Sequence, residues 1–113
     1  MGDGQHAWAA AEWVMALRSA FVLEEGDRLV LGQGLPALWL DSCSSMLYGP
    51  TWTPYGPLTV RLERSAGRMR VHWTWAEGSP RGARPEIEVR LAGRQPIVSA
   101  PSASDEIVLE PVP

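Results

Sequence analysis

Few residues in this 113-residue chain have types and spacing that suit chemistry. Trp52 and Tyr55 flank Pro54 in a Pro-rich stretch, Thr51 to Pro57, that reads as a rigid, ordered loop. No alternation forces these two rings inward, so the pair can stack on a sugar ring, contact another domain or clamp the end of a sheet. His6 stands near a candidate helix start with Asp3 close by, where an imidazole can serve as a base or contact a ligand. The only other histidine is His72, on the polar face of a candidate strand, and no His/Glu spacing marks a metal site. Ser42-Cys43-Ser44-Ser45 offers hydroxyls and a thiol without a neighbouring base or oxyanion loop. Cys43 is the sole cysteine, which rules out an internal disulfide and a thiolate cluster. Gly32-Gln33-Gly34 is too short for a phosphate loop. Glu24-Glu25-Gly26-Asp27 reads as a solvated turn, and the remaining acids mostly alternate outward with Arg, whereas glycoside chemistry needs two positioned carboxylates. The expectation is a chain with no catalytic residues, no cofactor and no metal, whose ligand contacts are Trp52, Tyr55 and His6.

These residues must be carried by two kinds of element. From about residue 5 to 23 the chain reads as one helix, with Asp3 as its N-cap and apolar residues on nearly every side. A helix apolar all round must be buried all round. Trp8, Trp13, Met15 and Phe21 are therefore expected at an interface, and the many alanines would let another backbone approach closely. After Asp27 the period changes to two. Arg28 to Leu31 reads as a short strand, and Leu35 to Leu40 as a helical turn opened by Pro36. Ser45 to Tyr48 reads as a strand start that Gly49-Pro50 breaks.

The clearest alternation follows. Leu58, Val60 and Leu62 alternate with Thr59, Arg61 and Glu63, and Met69, Val71, Trp73 and Trp75 alternate with Arg68, Arg70, His72 and Thr74. Ser65-Ala66-Gly67 joins the two runs as a hairpin. Trp73 and Trp75 share one face of their strand and could form a sugar platform, but that face also holds Met69 and Val71, so a sheet core is the favoured reading. Ile87, Val89 and Leu91 alternate with Glu86, Glu88 and Arg90, and Ile107 and Leu109 close the pattern. The fold class this predicts is mainly β: a single domain over 1–113, with a small antiparallel β-sandwich from about 28 to 111 preceded by one N-terminal α-helix.

Composition narrows the function classes. The net charge is −3 and the pI is about 5.3, so a nucleic-acid footprint is not expected. No apolar run reaches the roughly 18 uncharged residues of a membrane span. The N-terminal stretch carries Asp3 and no basic region, so it does not read as a secretory leader. The expected location is cytoplasmic, although a parent protein could carry a signal upstream.

Several segments together carry a resemblance. Gly2 to Trp13 is followed by Leu23-Glu24-Glu25-Gly26-Asp27-Arg28-Leu29-Val30-Leu31, then by Gly34-Leu35-Pro36-Ala37-Leu38-Trp39-Leu40 and Pro54-Tyr55-Gly56-Pro57-Leu58. Over roughly residues 2 to 75 this resembles the C-terminal end of bacterial (α/α)6-barrel proteins related to glycoside hydrolases. In those a last barrel helix passes into a β-sandwich packed on the barrel. The resemblance implies that catalytic carboxylates lie upstream, and that Asp3, Gln5 and His6 sit near a sugar-binding mouth. On this reading the chain is a non-catalytic accessory domain or fragment, not an enzyme on its own. Its partner is an upstream barrel, or a second copy of the chain as a homodimer, with glycan as a further contact. The alternatives are an independent small self-associating protein and a carbohydrate-binding module with aromatics as its sugar platform.

Overall fold

The computed structural model describes residues 17–76, 84–99 and 106–110. Residues 17–21 are helical. Eight strands and one short helix follow: β1 (Val22–Glu25), β2 (Arg28–Leu31), α1 (Ala37–Ser42), β3 (Ser45–Thr53), β4 (Gly56–Ser65), β5 (Arg68–Trp75), β6 (Glu86–Val89), β7 (Ile97–Ser99) and β8 (Glu106–Leu109). They form two four-stranded sheets, ordered β1-β2-β6-β7 and β3-β4-β5-β8. Apolar residues of both sheets join one core cluster, which makes the architecture a mainly β sandwich. Val22, Leu29, Leu31, Ile87 and Val89 meet Leu58, Leu62, Val71, Trp73 and Leu109 there, each at most 3% exposed. The alternation in β4 and β5 thus places its apolar residues inward. Trp73 is buried, while Trp75 is half-buried at the margin of the core.

Three elements differ from the sequence reading. The helix does not run to residue 23: helical structure ends at Phe21, and Val22–Glu25 becomes β1, paired antiparallel with β2. The acidic run therefore ends a hairpin rather than a helix. The Gly32-Gln33-Gly34 turn explains the early stop. The Gly32 and Gly34 amides donate to the carbonyls of Phe21 and Ala20 at 3.0 and 3.3 Å, so the turn satisfies carbonyls that a helix end leaves free. A Cβ at Gly34 would lie 2.8 Å from the Ala20 Cα, so only glycine permits this approach. Second, β6 runs parallel to β2, while every other strand pairing among the described residues is antiparallel. Third, Ile97–Ser99, which the sequence reading did not include among its strands, forms β7 against β6.

α1 follows Pro36, whose carbonyl accepts from Trp39 and Leu40, as the helical-turn reading required. The β4–β5 hairpin turns at Ala66 and Gly67, with φ of 54° and 79°, the left-handed pair of a tight primed turn. Arg94 ties this end of the sandwich together. Its guanidinium donates to the carbonyls of Gly67, Leu109 and Glu110 at 2.9, 3.1 and 3.0 Å.

Candidate functional site

The Thr51–Pro57 segment is not a loop. β3 continues through Gly49 and Pro50 to Thr53, and only Pro54 and Tyr55 turn the chain into β4. Tyr48 faces Val60 and Thr51 faces Leu58, so three steps along β3 match two along β4. The extra residue is a β-bulge, and it reverses the inward–outward phase of the strand. Leu47 and Trp52 are five positions apart and would point to opposite faces of a regular strand. With the bulge both point outward, 62% and 75% exposed. Gly49 sits in the bulge at φ 123°, where a Cβ would lie 2.6 Å from the Leu58 carbonyl oxygen.

Trp52 and Tyr55 consequently do not form one platform. Tyr55 is half-buried and packs against the core, while its amide donates to the Thr53 hydroxyl at 3.1 Å. Trp52 stands on the outer face of the second sheet, and its carbonyl accepts from Arg18 at 2.8 Å. Phe21, expected at an interface, is instead 5% exposed inside this chain's own core. It stacks on Tyr48 with ring centroids 4.8 Å apart. His6, Trp8, Trp13 and Met15 lie outside the described residues.

The outer face around Trp52 follows from the register. Trp52 is opposite Pro57, Thr59 is opposite Thr74, and Leu47, Arg61 and His72 form the next row, with Glu106 beyond. Leu47, Thr59, Arg61, His72 and Thr74 line a hollow of about 140 Å³. The Thr74 hydroxyl lies 3.3 Å from His72 Nε2. The charges on this face pair loosely: Arg61 with Glu63 and Arg70 with Glu106, both at 3.5 Å, and His72 Nδ1 with Glu106 at 3.8 Å. Arg68–Glu110, at 2.8 Å, is tighter. Sequence parity placed Arg61 and His72 on a wet face. It missed that Trp52 and Leu47 join them, because the phase change at Gly49-Pro50 has no period-two signature.

The outer face of the first sheet differs. Glu88, expected to point into solvent, is 5% exposed. Its carboxylate accepts from Arg28 at 2.6 Å and from Arg90 at 2.5 Å. Arg28 also donates to Glu86, and Arg90 reaches the Gln33 side-chain oxygen at 3.0 Å. The Arg90 hydrogen bond, joined by that from Arg28, holds the Glu88 carboxyl below the usual carboxylate range even though burial opposes this. In turn the Arg28 guanidinium is pushed up chiefly by Glu86, and that of Arg90 chiefly by Glu88. Every acid in this ladder is engaged by arginine, so it braces the parallel β2–β6 pair. Burial on both faces also matches the usual setting of parallel strands.

Among the described residues, no group of three His, Cys, Asp or Glu side chains is arranged to hold a metal ion. No helix among them is long and apolar enough to cross a membrane. Comparison of the chain with known protein families, curated proteins and solved structures finds no match.

Proposed function

We propose that the chain is a non-catalytic accessory β-sandwich module that contacts glycan through the open face of its second sheet. The observation that carries this reading is Trp52, an indole 75% exposed on the same outer sheet face as Thr59 and Thr74, which are opposite each other in the β4–β5 register. An exposed indole gives a sugar ring an apolar surface to stack on, and hydroxyls on the same face can bond the ring's polar edges. The resemblance of residues 2 to 75 to the end of barrel proteins related to glycoside hydrolases supports the same setting, with catalysis belonging to an upstream barrel. Titration of a panel of oligosaccharides, followed by calorimetry and Trp fluorescence, tests it. At least one glycan is expected to bind, and Trp52→Ala is expected to abolish that binding. Silence across the panel removes the glycan role.

A second reading is favoured by β3, which is an edge strand carrying the exposed Leu47 and Trp52. Exposed edges of this kind pair with further strands, here with a second copy of the chain in a symmetric dimer. Light scattering over a dilution series checks this, and a monomer at micromolar concentration excludes it.

A further inference from the structure

Resting on the glycan reading above, we propose that the open face selects acidic oligosaccharides. One sugar ring stacks on Trp52, and a carboxylate further along the same chain enters the hollow between Arg61 and His72.

Four observations carry this. Every side chain lining the hollow that can bear charge is basic: Arg61 and His72, set among Leu47, Thr59 and Thr74. Glu63 and Glu106 lie outside that lining, so an anion in the hollow meets the Arg61 guanidinium and the His72 imidazole, whereas one placed beside it meets carboxylates. The guanidinium of Arg61 is available. Its side chain is 55% exposed, and its contact to Glu63 at 3.5 Å is far looser than the 2.7–2.9 Å of a formed charge-assisted bond. A planar fork in this state suits a carboxylate, which it can hold through two parallel hydrogen bonds. Volume fits as well: 140 Å³ admits one small anionic group with its first waters, a water taking about 30 Å³.

The spacing sets the ligand's length. Pro57, opposite Trp52, and Arg61 are four residues apart on β4, about 13 Å along a strand. One ring cannot reach both points, so the face reads a short chain of sugars.

The test compares trigalacturonate with a neutral galactose trimer and with galacturonic acid, by calorimetry on the full chain at low salt. The acidic trimer is expected to bind roughly tenfold more tightly than the neutral one, the effect of one charge-assisted pair. Added salt should shrink that advantage. Arg61→Gln is expected to erase the acidic preference, so that the two trimers bind alike, and His72→Gln to reduce it. Trp52→Ala should abolish binding of both trimers. Equal affinity for the two trimers overturns acidic selection and leaves the glycan reading standing, whereas binding of neither trimer nor any other glycan overturns both. An acidic preference that survives Arg61→Gln places the anion elsewhere and also overturns the inference. So does galacturonic acid binding as tightly as its trimer. A short polyglutamate that matches the acidic trimer would show a charge reader, not a sugar reader.

Discussion

The outer faces of the two sheets are built from similar residues and come to opposite ends. On the first sheet Glu88 is nearly inaccessible and held by two arginines at 2.6 and 2.5 Å. On the second, Arg61, Arg70 and His72 meet their acids at 3.5 to 3.8 Å, and their side chains are 41–56% exposed. Arg and Glu in alternation therefore do not by themselves mark a solvated face. Coverage decides: a covered sheet drives its charges into a satisfied network, because an unpaired buried charge is costly, while an open sheet leaves a guanidinium such as that of Arg61 exposed to water.

The strongest way to break this contrast is to remove the centre of the covered network. Glu88→Ala leaves Arg28 and Arg90 without their shared acceptor and is expected to cost about 3 kcal/mol, the lower end for breaking a buried ion pair because the arginines keep partial access to water. Chemical denaturation measures it. Unfolding with no change in midpoint would show that the network is ornamental. The same group sets a pH limb. The folded-state carboxyl of Glu88 titrates below its unfolded value, so its contribution is full above about pH 4.3 and is lost as pH falls through the folded value. The acid limb of the stability profile should flatten in Glu88→Gln.

Next in size is the bulge. Gly49→Ala adds a Cβ against the Leu58 carbonyl at a positive φ and should cost about 2 kcal/mol. It should also disturb Trp52, read as a shift in its fluorescence, because the bulge sets which way that ring faces. Relieving the hairpin sharpens the picture in the stabilising direction: Ala66→Gly removes a side chain held at φ 54° and should add about 0.5–1 kcal/mol. The smallest effect belongs to the open face. Arg70→Ser should leave stability within about 0.5 kcal/mol, and a larger loss would mean that this face is not open.

Much of this was legible in the sequence. Strict alternation in β4 and β5 named the core side correctly from Leu58 to Trp73, and Ala66-Gly67 named the turn. Pro36 named the start of α1. The parts that were not legible share a cause: they depend on contacts between distant segments. Val22–Glu25 has helix-compatible residues, and only the Gly32–Gly34 amides stop the helix before it. Glu88 reads as a surface residue until β2 lies parallel beside it. Trp52 reads as part of a loop, because an inserted residue hides the strand from a period-two scan. Trp52 stood out in the sequence, but its neighbours on the outer face did not, since they come together only through the register of three strands.

The parallel pairing of β2 with β6 has a consequence for the order of assembly. β3, β4 and β5 follow one another as hairpins, so their pairing closes only short loops. Residue 28 meets residue 86 across 58 positions, and closing so long a loop defers that contact. The face that carries Trp52 and Arg61 is thus the early half of the molecule, and the sheet braced by Glu88 is the late half. Amide exchange during refolding should protect β4 and β5 before β2 and β6.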